Sequence, residues 1–223
     1  MANDISYYQY SRPEVAALIP DNVHRILEIG CGVGNFRRNL SREYEYWGVE
    51  PAAEVATRAA AHLGKVLVGT YKDVFTQIPD NYFDLVICND VVEHMDDHDW
   101  FLQSIRKKMM DKNSVLIGSI PNVRYVDNLF NLLIKRDWEY VDMGILDKTH
   151  LRFFTQKSLL RTFHSNNYSV EEFKGINGVE IAGAKSMTSL FRRLLALVAV
   201  AILGRDTRFP QFAFRVSPNV DAI

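Results

Sequence analysis

The chain is 223 residues long, 48% apolar and 24% charged, with a formal net charge of −1. That length fits one domain carrying an insertion, and the charge balance excludes the basic footprint of a nucleic-acid binder. Cys31 and Cys88, the two cysteines, fall in apolar segments and suggest neither a disulfide framework nor a zinc site.

The opening, Met1-Ala2-Asn3-Asp4-Ile5-Ser6-Tyr7-Tyr8, lacks the apolar core of a signal peptide, so a cytoplasmic protein is expected. Val23 to Ile29 is a continuous apolar run stopped by glycine and predicts a buried strand. Val33 to Tyr44 predicts a helix. Tyr46-Trp47-Gly48-Val49 predicts a second strand ending in Glu50, and Pro51 then opens an alanine-rich helix, Ala52 to Leu63. Val66-Leu67-Val68 predicts a third strand, and Phe83 to Cys88 a fourth that ends at Asn89-Asp90. A helix over Trp100–Met110 and a strand over Ser114–Ile120, stopped by Pro121, complete the regular part. Such alternation implies a parallel sheet with helices on both faces. Ligands of such sheets bind beyond the carboxyl ends of the strands, where Gly30, Glu50, Asn89 and Pro121 all fall. Residues 122–154 show no strand pattern and read as an acceptor-side insertion. Gln156–Ser165 then predicts a helix, Tyr168–Phe173 a strand and Phe212–Val216 a last strand.

The most informative stretch is Ile26-Leu27-Glu28-Ile29-Gly30-Cys31-Gly32-Val33-Gly34-Asn35. A dinucleotide fingerprint spaces its glycines G-x-G-x-x-G; here the third glycine comes one residue early and an acid precedes the first. A pyrophosphate is repelled by a carboxylate there, whereas a cationic or zwitterionic ligand is favoured. The helix expected behind the loop offers free N–H groups to a polar or anionic group. A glycine-rich turn in some other α/β protein is the plain alternative. This arrangement resembles motif I of the class I S-adenosylmethionine methyltransferases. The resemblance implies a Rossmann-like, doubly wound, mostly parallel sheet with one antiparallel strand near the C-terminus. It also implies S-adenosylmethionine as cofactor and S-adenosylhomocysteine as product.

By that resemblance Glu28 and Gly30, Cys31, Gly32, Gly34 and Asn35 lie against the methionine part. Glu50, with Pro51 beside it, accepts from both ribose hydroxyls, a task suited to a carboxylate. Asp73 and Val74 are placed near adenine, Asn89 and Asp90 near the methionine group, and Arg12 at the cofactor carboxylate. The segment Tyr7-Tyr8-x-x-x-Arg12-Pro13 is similar to the N-terminal cap of some sugar-modifying relatives, here residues 1–20. Tyr8 would then touch the acceptor.

In Asn89-Asp90-Val91-Val92-Glu93-His94 the first choice for general base is His94, oriented by Asp90 or Glu93. A divalent cation held by these groups, as in some quinone-biosynthetic relatives, is an alternative to which no metal ligand is assigned. His94 merely bracing the loop is another. A second cluster, Asp147-Lys148-Thr149-His150-Leu151-Arg152, together with Asn122, Arg124 and Tyr125, resembles methyltransferases encoded among glycan-assembly enzymes. It offers His150 as base or acceptor ligand, and Arg152 for a phosphate or carboxylate. A small-molecule or glycan acceptor is expected, with O-methylation of a sugar hydroxyl first, a quinone precursor second and a non-catalytic cofactor-binding module third.

Lys185, Thr188, Ser189 and Arg192 share one helical stripe opposite Met187, Leu190, Phe191, Leu194 and Leu195, within an expected amphipathic insertion at 184–204. Its apolar run is too short to span a bilayer, which takes about 20 residues. A lid or a homodimer contact is preferred; peripheral contact of 185–204 with the inner face of a membrane is the alternative.

Overall fold

A computed structural model describes residues 11–109, 111–178, 197–198 and 200–219. Seven strands form one sheet: β1 (Arg25–Ile29), β2 (Glu45–Glu50), β3 (Lys65–Val68), β4 (Leu85–Asn89), β5 (Val115–Pro121), β6 (Tyr168–Ile176) and β7 (Gln211–Pro218). Their order is β3-β2-β1-β4-β5-β7-β6. The first five run parallel, and β7 enters antiparallel between β5 and β6. That is the mostly parallel sheet with a late antiparallel strand that the resemblance implies.

Alternation along the strands divides the core in two. Leu27 and Ile29 of β1, Val86 and Cys88 of β4 and Leu116 and Ile120 of β5 face one layer. That layer holds α3 (Tyr71–Val74), α4 (His98–Ile105) and α6 (Gln156–Ser165), which contribute Tyr71, Phe101 and Phe163. Ile26, Leu85, Ile87, Val115 and Ile117 face the other, which holds α1 (Pro13–Ala16) and α2 (Ala53–Ala59). Both cysteines are buried and free.

The helix expected over 33–44 is a five-residue 3₁₀ turn, Asn35–Asn39. Side chains end it early: Asn39 Nδ2 donates to the carbonyl of Phe36 at 3.1 Å, and Arg37 donates to that of Leu40 at 2.8 Å. A turn this short has no dipole to offer, so the anion-binding helix anticipated behind the glycine loop is absent. The helix after Pro51 starts at Ala53, and Pro51 itself is exposed ahead of the cap. Thr70 caps α3, which the sequence reading passed over. Within 122–154 the chain forms α5 (Val126–Phe130), continued by a π-helical turn, Asn131–Lys135. Residues 1–10 and 179–196, including Tyr8 and the amphipathic stripe, lie outside the described residues.

Gly118 marks the tightest crossing of the sheet. A Cβ there would meet the Cys88 carbonyl oxygen at 2.0 Å and the Phe214 ring at 2.9 Å. Gly118→Ala is therefore expected to cost about 3 kcal/mol or more, read from urea unfolding; an unchanged midpoint would contradict this packing.

Candidate active site

The loop after β1 carries three glycines with positive φ, at Gly30 (71°), Gly32 (53°) and Gly34 (81°). It is held down by Glu50, the last residue of β2. One carboxylate oxygen of Glu50 accepts from Gly32 N–H at 3.0 Å, and the other accepts from Ala52 N–H at 3.0 Å. Each oxygen keeps a further lone pair for a ligand hydroxyl. Burial raises the Glu50 carboxyl above the usual carboxylate range, partly offset by those two N–H donors. Glu28 is buried beside β2 and accepts from Tyr46 Oη at 2.8 Å. Burial pushes its carboxyl up to about 8, with Tyr46 opposing and Glu50 adding to the shift. At neutral pH this acid holds its proton until a cationic group arrives nearby. Cys31 and Asn35 are buried in the same loop, and burial pushes the Cys31 thiol up, so it carries no thiolate. Asn89 ends β4 with its side-chain carbonyl oxygen buried and without a hydrogen-bond partner.

Asp90, at φ 52°, turns its carboxylate back across the sheet ends. It accepts from Ser119 Oγ at 3.0 Å and Gln211 Nε2 at 2.9 Å and is ion-paired with Arg12. Arg12 also donates to Gln211 Oε1 at 2.9 Å. Asp90 therefore acts as an anchor and does not orient His94. Ser119 and Gln211, strand residues that the sequence reading did not single out, complete the anchor.

Val92–His94 form one 3₁₀ turn beyond β4. Glu93 is 1% exposed, and neither of its carboxylate oxygens has a hydrogen-bond partner. Burial first, and then the charge of Asp90, push its carboxyl well above the usual carboxylate range. Its backbone carbonyl accepts from Leu151 N–H at 2.8 Å and Arg152 N–H at 3.1 Å, which sews the insertion to the turn. The seam sets His150 Nε2 at 4.0 Å from Glu93 Oε1 and its ring 4.7 Å from that of His94, edge to face. His94 Nδ1 meets the carbonyl oxygen of Thr149 at 3.2 Å and Thr149 Oγ1 at 3.1 Å. His150 Nδ1 meets the carbonyl of Ile145 at 3.0 Å. A carbonyl only accepts, so each Nδ1 carries a proton and each Nε2 is the nitrogen left for a ligand. Burial and the neighbouring His150 lower the His94 pKa, which leaves it a free base at neutral pH. Glu93, His94 and His150 each offer a donor atom within 4.8 Å of the others, so the trio is also capable of closing around a small cation.

Other expected contacts are committed to structure. Asp73 accepts from Thr70 N–H at 3.0 Å and Thr70 Oγ1 at 2.6 Å in a capping box, and Val74 is buried in the core, so neither is presented as an adenine contact. Asn122 is fully buried and donates to the carbonyls of Asp206 (2.8 Å) and Phe209 (2.9 Å). Arg124 is ion-paired with Asp206 at 2.7 Å. These two residues staple a corner and do not line an acceptor site. Tyr125 precedes α5 as its cap residue. Asp147 accepts from Thr149 N–H at 2.8 Å and Thr149 Oγ1 at 2.7 Å, so it shapes the turn that presents His150. Arg152 donates to the carbonyl of Asp96 at 2.8 Å across the outer edge. The sequence reading missed Trp138, whose ring packs 5.5 Å from that of Phe153; the Phe153 ring in turn lies 6.3 Å from that of His150. Aromatic residues in an insertion otherwise rich in charge were the available signal.

A family model described as a methyltransferase domain matches residues 6–172. Among curated proteins, the ubiquinone biosynthesis O-methyltransferase of Rickettsia bellii is 23% identical over 157 residues, covering 68% of this chain and 64% of that protein. The mitochondrial ubiquinone biosynthesis O-methyltransferase of Dictyostelium discoideum is 25% identical over 169 residues, covering 68% of this chain and 51% of its own length. The chain thus spans roughly half to two thirds of these relatives. A crystal structure of a SAM-dependent methyltransferase from Archaeoglobus fulgidus superposes with a TM-score of 0.68 at 20% identity, over 96% of this chain and 95% of that one. At that identity the likeness concerns the fold.

The raised acid under the loop has a stability signature. Glu28 keeps its proton in the folded state up to about pH 8, whereas an ordinary glutamate carboxyl loses it near pH 4.5. Its contribution is therefore full below pH 4.5 and is lost as the pH climbs towards about 8. Glu28→Gln is expected to flatten the fall of melting temperature over that window; parallel profiles for the two proteins would contradict the assignment.

Proposed function

Because this chain belongs to the methyltransferase-domain family, we propose that it methylates a hydroxyl oxygen of a ring-bearing acceptor, a sugar or glycan-linked group first. The observation that carries the reading is the pair of imidazoles beyond the sheet, each with Nδ1 tied to a backbone carbonyl, so that Nε2 is the nitrogen left to face a ligand. Support for the cofactor comes from the glycine cradle: a Cβ at Gly30 would lie 2.5 Å from Val91 Cγ2, so the loop stays open only as glycine. The unpartnered Asn89 oxygen and the spare lone pairs of Glu50 add polar contacts at the same strand ends. Bound S-adenosylmethionine supplies an electrophilic methyl group on a sulfonium centre.

Glu50 is read as the ribose acceptor, and Glu28 as the acid that yields its proton when the cofactor's ammonium comes near. His94 Nε2 takes the hydroxyl proton while the acceptor oxygen bonds to the methyl carbon and the carbon–sulfur bond breaks. His150 and Glu93 are read as the groups that hold the acceptor through hydrogen bonds. Orientation supplies much of the rate in such an in-line displacement. The rings of Phe153 and Trp138 offer apolar faces to the C–H side of a sugar. A quinone-precursor hydroxyl is the second reading, favoured by the names of the relatives at 23% and 25% identity. Labelled-methyl transfer to nucleotide sugars and glycan fragments, against transfer to catechols, separates the two.

Calorimetry should show S-adenosylmethionine binding weakened about tenfold to a hundredfold by Glu50→Ala, as two charged hydrogen bonds are lost. His94→Ala should leave that affinity nearly unchanged and slow methyl transfer about a hundredfold or more. Transfer at the parental rate would remove His94 as the base.

A further inference from the structure

Among the described residues, twelve large hydrophobic side chains are exposed, and eleven of them fall in residues 132–151 and 197–203. Those two segments are far apart in sequence, yet one corner anchors both. Arg124 donates to the carbonyl of Leu203 and is ion-paired with Asp206, while Asn128 of α5 donates to the carbonyl of Val123 at 3.0 Å. From this corner the π-helical turn presents Leu133 and Ile134, 62% and 66% exposed, and the helical residues 200–203 present Ile202, 75% exposed. Residues 194–203 contain no polar side chain at all.

We propose that this corner docks on an anionic lipid surface, with residues 132–134 and 197–203 entering the headgroup–acyl boundary together. Composition selects the occupant. The exposed tips are aliphatic and lack the Trp, Tyr and Arg anchors typical of protein interfaces. Exposed Lys135 and Arg136 directly follow the first segment, and exposed Arg205 follows the second. Basic side chains at the border of an apolar tip fit a bilayer that carries negative headgroups. The acid nearest the second tip, Asp206, is neutralised by Arg124. Asp137 and Glu139, also exposed, follow the basic pair. Among the described residues no helix is long and apolar enough to cross a membrane. Of the remaining exposed hydrophobics, Tyr140 has its ring 6.3 Å from that of Phe153, which lies 6.3 Å from the ring of His150.

The test is co-sedimentation of this chain with vesicles of phosphatidylcholine alone and of phosphatidylcholine containing phosphatidylglycerol. Binding is expected to the second type and to weaken with added salt. Leu133→Glu combined with Ile134→Glu, and separately Ile202→Glu, should each lower partition at least about tenfold. Replacing Lys135 and Arg136 by Glu should do the same for anionic vesicles. All three are surface changes, and unaltered circular dichroism checks that the fold is kept. Two results overturn the proposal. One is an intact chain that stays in the supernatant with both vesicle types. The other is a dimer in light scattering that the same apolar substitutions dissolve, which would make the corner a protein contact. The readout is partition, so failure of the methyl-transfer reading leaves it standing.

Discussion

The carboxylate of Asp90 is the point on which the candidate site depends. It sits one residue beyond β4, in a left-handed conformation that Asp adopts more easily than most residues. Through Arg12, Ser119 and Gln211 it joins the segment before α1, strand β5 and the antiparallel strand β7. Gln211 in turn accepts from Asn177 Nδ2 at 2.9 Å, just past β6. Four separate stretches of chain therefore converge on the loop that presents Glu93 and His94. Low local dielectric strengthens such a network when every member is satisfied. With Asp90 occupied, the neighbouring Glu93 is left as the buried acid whose carboxylate oxygens have no hydrogen-bond partner.

The two halves of the site are built on different principles. Around the glycine loop, the polar group bonds to backbone: Glu50 accepts from two N–H groups. Such contacts fix position without consuming the outward lone pairs. Around Glu93 no such pairing exists, and leaving a buried polar group unsatisfied costs about 1–3 kcal/mol. A fold tolerates that cost where a ligand is to supply the missing partner.

Much of the architecture was legible in the sequence because local signals agreed. The helix over Gln156–Ser165 was found to the residue, since Thr155 caps it and its apolar positions repeat at helical spacing. The strands were found because continuous apolar runs ended in glycine, acid or proline. The long helix over 33–44 was over-read: nothing in its pattern reveals that Arg37 and Asn39 cap carbonyls from within. The Thr70–Asp73 capping box was readable but was taken for a ligand contact. In the site, the sequence isolated Asp90, Glu93, His94 and His150 but could not assign their partners. His94 and His150 are brought together by backbone pairing between Glu93 and Leu151–Arg152, a contact that no local pattern encodes. Asn122 and Arg124 resembled acceptor ligands because polar residues after a strand end usually are; burial and partners show them to be staples.

Gly30 and Val91 touch across the cleft, and this has a consequence for how such a chain can change over time. A Cβ on Gly30 would come within 2.5 Å of the Val91 methyl, while φ at Gly30 is 71°. Bulk can enter at position 30 only if it is surrendered at position 91, and the backbone still resists. Position 91 lies between the anchor at Asp90 and the turn that carries Glu93 and His94. Drift in the cradle is thus yoked to drift in the turn, so the half that holds the cofactor constrains how far the half facing the acceptor can diversify.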